Sequence, residues 1–294
     1  MKHRQAIALM VISALLWSLG GVVSRQLQSH EGLEITFWRS VFAALTVVAL
    51  LAAGRDMERV RVLARGGATV WISGLMWAVM FTCFMMSLSL TSVANVLITQ
   101  SLAPVFTALL AWVVLRKPIA ARSWACIVVA TVGIASMYVF DVSVQGGRQA
   151  LGVLVALGIP AAAAVNWVLL QRAGTQLDLS ISVLVGAVVS ALVMLPLAWP
   201  LGLPGRDMAW LALLGVFQLG LPCVLAMRAA RTLAAYEVAL LALLEVVFGI
   251  ALAWLFAGEQ PGVMTLVGGA AVLLALVANE LLRPAAPAAE STLA

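Results

Sequence analysis

The stretch LEVVFGIALAWLFAGE, residues 244–259, decides the fold of this chain. It is an apolar run of membrane length, and it holds one carboxylate, Glu245, well inside it. The run occurs twice, because a shift of 142 residues places six residues of an earlier stretch on identical residues of this one. The earlier residues are Leu102, Val105, Phe106, Leu110, Ala111 and Trp112, and the later ones are Leu244, Val247, Phe248, Leu252, Ala253 and Trp254. A shared Phe and a shared Trp in one register indicate an internal repeat.

Composition places the chain among membrane proteins. Of its 294 residues, 64% are hydrophobic and 10% are charged, whereas an ordinary soluble domain is about 25% charged. Residues 66–115 contain no Asp, Glu, Lys or Arg, and a bilayer core about 30 Å thick is crossed by roughly 20 helical residues. The apolar runs are continuous and do not alternate every second residue, so they predict helices and not a barrel. We therefore expect an all-α polytopic membrane protein.

Breaks in the apolar pattern predict ten transmembrane helices. We place them near residues 5–24, 33–53, 69–89, 94–115, 121–140, 150–171, 180–200, 208–227, 237–257 and 262–282. The least marked break, Ser89–Asn95, carries no charge and depends on span length and small polar residues. The first five helices form a repeat over residues 1–141, and the last five form a second repeat over 142–283. The Pro- and Ala-rich residues 284–294 are expected to be a disordered tail.

The distribution of positive charge predicts the topology. Ten spans place every Lys and Arg on the side of the amino terminus except Arg25, Arg39, Arg148 and Arg206. The positive-inside rule therefore predicts that both termini are cytoplasmic. This topology explains the formal charge of +5, which does not indicate a nucleic-acid partner. Because each half has five spans, the two halves cross the membrane in opposite directions, which is the inverted-repeat plan of many secondary transporters.

Two groups of small side chains have structural interpretations. Three cysteines lie apart in separate predicted spans: Cys83, Cys126 and Cys223. Without paired spacing they predict neither a disulfide nor a metal site, and we interpret them as thiols packed against lipid. Gly249, Ala253 and Ala257 form a ridge of small residues on helix nine. Such a ridge allows helices to pack closely, and it is also compatible with a homodimer surface.

Three motifs and their order give the chain a family resemblance. They are TFWR at residues 36–39, a small polar residue leading into APVF at 103–106, and LE..F....W....GE over 244–259. With ten spans in two repeats, they resemble the drug/metabolite transporter superfamily, EamA type. The resemblance implies a carrier that exports amino acids or related molecules across a bacterial inner membrane, with both termini cytoplasmic. The chain departs from the family pattern at Lys117, where Glu is common. It also has Val246 where a helix-kinking Pro commonly follows the residue that matches Glu245.

Glu245 is the main candidate for transport chemistry. It lies about eight residues into helix nine, roughly 12 Å at 1.5 Å per residue, and polar groups inside a bilayer usually face a cavity or another helix. It is either a structural, hydrogen-bonded carboxyl or a group that binds a proton or a substrate amine, and the functional interpretation is favoured. Helix four carries a polar patch at matching depth: Thr99, Gln100 and Ser101. Pro104 follows this patch and leaves backbone carbonyls free for a ligand, while helix–helix hydrogen bonding is the alternative use of the patch.

Other polar and aromatic residues complete the predicted site. Trp17 and Ser18 lie in helix one, Asn166 and Trp167 lie in helix six, and Gln218 lies in helix eight before Gly220 and Pro222. Trp17 is deep enough to line a cavity, whereas Trp167 is equally compatible with an anchor at the membrane interface. Arg39 lies some six residues inside helix two, where snorkelling to the outer surface is favoured over pairing with Glu31, Glu34 or a substrate carboxylate.

Together these residues predict a secondary carrier of a small metabolite that works by alternating access. The predicted substrate-binding residues are Trp17, Ser18, Thr99, Gln100, Asn166, Trp167, Gln218 and Glu245, with Glu245 also coupling protons. The expected partners are a small-molecule substrate and the lipid bilayer, while protons and a second copy of the chain stay open. We find no nucleophile–base pair, phosphate loop or metal-ligand cluster, so we expect no enzyme, no metal and no cofactor. The open alternatives are an intramembrane enzyme acting on a lipid headgroup and a membrane sensor or scaffold without transport.

Overall fold

The computed structural model of the protein consists of helices joined by short connections. It describes residues 3–28, 31–53, 67–115, 121, 124–125, 128–129, 132, 147–173, 181–230, 232–233 and 235–281. Every regular element within those ranges is a helix, as the continuous apolar runs predict. The predicted tail, residues 284–294, and Cys126 lie outside the described residues.

The helices follow one another with few intervening residues. In chain order they are α1 (His3–Ser24), α2 (Gly32–Ala53), α3 (Gly67–Leu90), α4 (Val93–Gln100), α5 (Ala103–Leu115), α6 (Gly147–Ala156), α7 (Gly158–Ala173), α8 (Ile181–Ala198), α9 (Gly205–Leu213), a π-helical segment (Leu214–Gly220), α10 (Leu221–Ala230), α11 (Ala235–Ala257) and α12 (Val263–Leu281). Seven stretches of the described helices are long and apolar enough to cross a membrane, and two shorter apolar helices lie at 241–257 and 266–275. Length and composition thus agree with a multi-pass membrane protein.

Described helices occupy the positions of nine predicted spans. The fifth predicted span, residues 121–140, lies mostly outside the described residues, so the count of ten stays a prediction. The least marked turn is confirmed, because α3 ends at Leu90 and α4 begins at Val93. There the side chain of Ser92 caps α4 by accepting a hydrogen bond from the backbone N–H of Asn95 at 3.2 Å.

Three of the predicted spans are interrupted, and a proline follows each interruption. The interruptions are at Ser101–Leu102, Leu157 and Leu214–Gly220, and the prolines are Pro104, Pro160 and Pro222. A proline has no N–H for the carbonyl four residues earlier, so Gln100 at the end of α4 keeps a carbonyl without that helical donor. In the π-helical segment the N–H of Leu221 bonds the carbonyl of Val216, five residues back. Such wide turns occur often at functional sites.

The helices pack in a network that joins the two halves of the chain. α1 packs against α11, α10 and the π-helical segment, while α3 packs against α8, α7 and α6. α2 packs against α8 and the π-helical segment, α5 packs against α7, and α4 contacts α11. The largest buried apolar cluster includes Val23, Phe84, Leu97, Val105, Val153 and Val246, one from each of six helices. These contacts hold α4 and α11 side by side near the centre of the bundle.

Glycines allow three helices to approach α4 closely. A Cβ added to each of these glycines would overlap a side chain of α4; the pairs are Gly21 with Val93, Gly249 with Leu97 and Gly269 with Ile98. Gly249 and Ala253 are buried within the chain. Gly249 and Ala253 are therefore used in packing inside the chain, as one interpretation of the ridge predicts, whereas Ala257 is half-buried.

Apolar side chains also cover much of the outside of the bundle. Trp112 and Trp254, the tryptophans that help reveal the repeat, are 46% and 60% exposed. Their neighbours Val113, Leu255 and Phe256 are more than 60% exposed as well. An apolar exterior of this kind suits hydrocarbon and not water, so these residues are expected to face lipid.

Candidate functional site

Glu245 and Gln100 form a buried pair between α11 and α4. Glu245 is 6% exposed, although it lies near the middle of a long apolar helix. The side-chain amide of Gln100 donates a hydrogen bond to Oε2 of Glu245 at 2.9 Å. Both residues were predicted from depth alone, and the structure brings them into contact across 145 positions of sequence. Pro104 leaves the Gln100 backbone carbonyl without its helical donor. The site therefore contains the carboxyl group of Glu245 and, beside it, a backbone carbonyl that is free to accept a hydrogen bond.

Arg39 lies at the centre of a second buried polar group. Its Nη1 donates to Oε1 of Gln218 at 2.9 Å, and its Nη2 donates to the carbonyl of Phe81 at 2.9 Å. The guanidinium also lies 5.6 Å from the ring centre of Phe84. Arg39 is fully buried, so the expectation that it snorkels to the surface is wrong. The packing of α2 against the π-helical segment and α8 turns this side chain inward, and it forms no ion pair with any described carboxylate.

Trp17 and Cys223 connect these two groups. The indole of Trp17 packs against the buried cluster that contains Cys223, and the Cys223 thiol lies near Arg39 and Glu245. The side-chain amide of Gln218 lies 3.5 Å from the carbonyl oxygen of Trp17. Cys223 is therefore inside the protein and not packed against lipid, because its helix is covered by α1 and the π-helical segment. Three predicted site residues, Trp17, Gln218 and Glu245, thus share one region.

Two predicted residues use their side chains within their own helices. The hydroxyl of Ser18 donates to the carbonyl of Leu15 at 2.6 Å, and the hydroxyl of Thr99 donates to the carbonyl of Asn95 at 2.7 Å. Both side chains are buried. Local bonds of this kind satisfy a hydroxyl in an apolar helix without a ligand, so neither residue forms a described side-chain bond to the Gln100–Glu245 pair.

Asn166 belongs to a separate polar cluster. Its side-chain oxygen accepts a hydrogen bond from the hydroxyl of Ser73 at 2.6 Å, and the same hydroxyl lies 2.9 Å from that of Ser182. All three residues are buried where α3, α7 and α8 meet. Sequence analysis missed Ser73 and Ser182, since single serines in apolar helices are common and have no distinctive spacing. The neighbouring Trp167 lies in α7, and its side chain is outside the described part of the structure.

Charged side chains tie the helices together at the end of the bundle where α1 ends and α4 begins. Arg25 donates to Oε1 of Glu259 at 3.0 Å. It also donates to the carbonyls of Leu88 and Thr91, at 2.9 Å each. Glu259 in turn accepts the N–H of Val93 at 3.0 and 3.2 Å, which places its charge at the positive end of α4. One ion pair therefore links α1, α3, α4 and the segment after α11.

Two more carboxylates bind backbone N–H groups at the same end. Asp207 accepts the N–H of Gln28 at 3.1 and 3.2 Å, and Oε1 of Glu34 accepts the N–H groups of Gly202 and Leu203 at 2.9 and 3.1 Å. Sequence analysis assigned these acids no such role, because an acid in the first turn of a helix is favoured by that helix's own dipole and its position does not identify the distant backbone that it binds. Each contact crosses from one half of the chain to the other.

Long apolar helices around buried polar pairs define the class of protein as a polytopic helical membrane protein. Within the described ranges, no three His, Cys, Asp or Glu side chains are grouped to hold a metal ion. The model of the EamA-like transporter family matches residues 4–139 and 150–279. The chain therefore belongs to the EamA-like transporter family, as its motifs predict, and it is a membrane transporter and not an enzyme.

Individual proteins are similar over most of the chain. Solute carrier family 35 member G1 of Homo sapiens is 27% identical, over 90% of this chain and 75% of the human protein. The protein of the same description from Mus musculus is 24% identical, over 88% of this chain and 73% of its own length. A solved structure described as "Crystal structure of protein" aligns with this chain at a TM-score of 0.62 and 16% identity. The alignment covers 97% of this chain and 100% of the chain in the solved structure. This last likeness is one of fold alone.

Proposed function

We propose that this transporter is a secondary carrier that exports a small metabolite, an amino acid or a related compound, by alternating access. Residues 1–141 and 142–283 form two inverted five-helix halves in this proposal, and ten spans leave both termini in the cytoplasm of a bacterial cell, across its inner membrane. The observation that carries the proposal is the buried Gln100–Glu245 pair. It joins a helix of one half to a helix of the other inside an apolar bundle. Burying an acid there is energetically unfavourable, and ionisable residues at such positions usually mark functional sites.

Helix packing supports two equivalent halves. If each predicted span is exchanged with the span five places later, most of the larger described contacts turn into other described contacts. The contact between spans one and eight corresponds to the contact between spans six and three. The contact between spans one and nine corresponds to the contact between spans six and four. Contacts between spans two and seven, and between four and nine, map onto themselves. A duplicated and inverted arrangement gives this pattern, and the matched ranges 4–139 and 150–279 divide the chain at the same place.

The bonds at the Arg25 end support a conformation that is closed to the outside. The positive-inside rule puts this end outside the cell, and there the Arg25–Glu259 pair, with side chains 31% and 20% exposed, links the two halves. The positions related to Arg25 and Glu259 by the repeat are Arg172 and Lys117. Two cations cannot form the equivalent ion pair at the cytoplasmic end. Among the described residues, the ion pair that links the two halves lies at the outer end, which suits a carrier that loads from the cytoplasm.

The predicted site residues divide into those that contact one another and those that do not. Trp17, Gln100, Gln218 and Glu245 are the core of the proposed substrate site, with Glu245 as the coupling acid. Ser18, Thr99, Asn166 and Trp167 complete the proposed lining. A carboxyl that alternates between water and a dry interior changes its tendency to hold a proton. Proton and substrate ammonium would then compete for Glu245, which would couple their movements.

Thiol labelling tests the proposed carrier. Single cysteines at Trp17, Thr99 and Glu245 are introduced in a background that lacks Cys83, Cys126 and Cys223. We expect a small aqueous thiol reagent to reach them from the cytoplasmic side, and Glu259→Gln, which removes the outer ion pair, to increase labelling from outside. Cysteines that react from neither side under any condition would place the substrate path elsewhere.

Oligomeric state and topology need their own measurements. A homodimer is part of the proposal only as an assembly of two complete carriers, since Gly249 and Ala253 are used inside the chain. Mass measurement in detergent distinguishes a monomer from a dimer. A reporter that is fluorescent only in the cytoplasm, fused after Ala294, should give signal if both termini are cytoplasmic. A dark fusion would contradict the proposed orientation.

A further inference from the structure

The charge of Arg39 has no counter-ion in the described structure. Its acceptors are the Gln218 side-chain oxygen and the Phe81 carbonyl, which are both neutral. Its Nε is buried without any hydrogen-bond partner. A guanidinium has five N–H donors, and only two hydrogen bonds from it are described. An isolated cation in an apolar interior is costly, and such residues are usually paired with another charge or used in function.

The architecture does not require a cation at this helix crossing. Shifts of 147 and 141 residues relate Arg39 to Gly186 and Trp77 to Gln218. The structure places Gly186 directly against Trp77, since a Cβ added to this glycine would overlap the tryptophan side chain. The same helix crossing is thus built in the other half from a glycine and a tryptophan. An arginine at only one of two related crossings indicates a purpose other than packing.

We infer that Arg39 recognises an anionic group, a carboxylate, on the transported molecule. This inference rests on the proposed carrier function, because Arg39 is buried here and an anion reaches it only when the helices move. A guanidinium presents paired N–H groups in the geometry that binds both oxygens of a carboxylate, and the Nε–H of Arg39 has no partner in the described structure. In the present conformation the Gln218 oxygen is the neutral acceptor that such an anion would replace.

The surroundings of Arg39 suit this exchange of acceptors. Gln218 lies in the π-helical segment, whose hydrogen bonds are shifted by one residue and which ends beside Pro222. The aromatic ring of Phe84 faces the guanidinium, and the ring of Trp77 lies 5.5 Å from that of Phe81. The indole N–H of Trp77 is another buried donor without a partner. Arg39 itself therefore has more N–H donors than described acceptors.

A binding experiment with charge-matched probes tests the inference. The purified full-length protein is heated in detergent with a panel of amino acids and monocarboxylates, each paired with its uncharged primary amide. A ligand that binds the folded state raises the melting temperature. We expect the carboxylates to stabilise the wild-type protein and the matched amides not to do so. Arg39→Gln should bind carboxylates about tenfold more weakly or worse, since a hydrogen bond to a charged group is lost, and Arg39→Lys should fall between the two.

Gln218→Glu keeps the test decisive if Arg39→Gln does not fold. This change places a carboxylate 2.9 Å from Nη1 of Arg39 at nearly constant shape. We expect it to raise the melting temperature without ligand and to abolish the response to added carboxylates, because the site is already filled. The control is Arg148→Gln, which removes an exposed arginine that only reaches the carbonyl of Ser89 at 3.4 Å. It should leave every response unchanged.

Several outcomes contradict the inference. They are a wild-type response equal for acids and amides, no response to any carboxylate in the panel, and a Gln218→Glu variant that responds like the wild type. Stabilisation by amides alone would leave the carrier function intact and remove the anion site. Failure of the carrier itself shows differently, as unreactive cysteines in the labelling experiment.

Discussion

The two copies of the repeated stretch, residues 93–115 and 235–257, fold differently. The first copy is two helices, α4 and α5, separated at Ser101–Leu102, whereas the second is the single helix α11. At the shift of 142 residues, Pro104 corresponds to Val246. The copy that has the proline is broken and the copy that has the valine is continuous, as expected if Val246 removes a kink. The two copies of a duplicated element thus differ in backbone where they differ in sequence.

The difference between the copies also places the candidate site. Glu245 corresponds to Ala103, and Gln100 corresponds to Ala242. The duplicated scaffold offers this contact twice, but only one copy has the acid and only the other has the amide. The break after α4 leaves Gln100 at a helix end, and the unbroken α11 holds Glu245 opposite it. The repeat thus supplies the scaffold, and a few one-sided residues supply the chemistry.

Val246→Pro should have the largest effect on this comparison, because it gives α11 the proline of the first copy. Val246 is 2% exposed, and its N–H is positioned to bond the carbonyl of Ala242. A proline there is expected to cost about 3 kcal/mol and to displace Glu245. Thermal unfolding of the purified protein measures the loss. The control is Val263→Pro at the first residue of α12, where a proline is tolerated; equal melting temperatures for the two variants would contradict the account.

Gln100→Ala should have the next largest effect, because it copies Ala242 and removes the donor to Glu245. We expect a loss of about 1–3 kcal/mol, the cost of leaving a buried polar group without its partner. The variants Gln100→Ala and Glu245→Leu, alone and together, form a double-mutant cycle of melting temperatures. Losses that simply add would show that the two side chains do not interact in the folded protein. The exposed Gln260→Ala serves as the control.

Pro104→Ala is expected to change transport more than stability. The new N–H can bond the Gln100 carbonyl and join α4 to α5, so the first copy would resemble the second. Pro104 is the second residue of α5, a position where proline costs little, and we expect a stability change within about 1 kcal/mol. Flux in proteoliposomes should fall severalfold. Pro196→Ala, at an exposed proline inside α8, is the matched control and should leave flux unchanged.

Trp254→Leu should have the smallest effect. Trp254 is 60% exposed on the outside of the bundle. Its counterpart Trp112 is 46% exposed, and its ring lies 5.8 Å from that of Trp124. We expect a stability change of about 0.5 kcal/mol or less and an unchanged flux. Trp17→Leu, by contrast, removes an indole that packs against the buried cluster containing Cys223 and should impair transport. A loss of flux in Trp254→Leu equal to that in Trp17→Leu would contradict the division into an outer and an inner set of tryptophans.

Composition and spacing predict the helical elements well, because a continuous apolar run in a membrane has few ways to satisfy its backbone. They also predict the depth of Gln100 and Glu245, which is why both could be predicted as site residues before their contact was known. The side of a helix on which a given side chain lies is harder to predict. Arg39 has the depth of a snorkelling residue, but α2 packs so that it points inward to Gln218, 179 positions away. Ser18 and Thr99 have suitable depth too, but their hydroxyls donate hydrogen bonds to backbone carbonyls of their own helices.

The flux of substrate against pH tests the central claim that Glu245 couples transport. The substrate is a metabolite that stabilises the purified wild-type protein, and flux is measured in proteoliposomes for wild type and Glu245→Gln. Glutamine keeps the shape of the side chain and imitates the protonated acid. We predict that the variant folds and is stable, while its flux is low or no longer depends on pH. A variant with the flux and the pH dependence of the wild type would contradict the claim and reduce Glu245 to a packing residue.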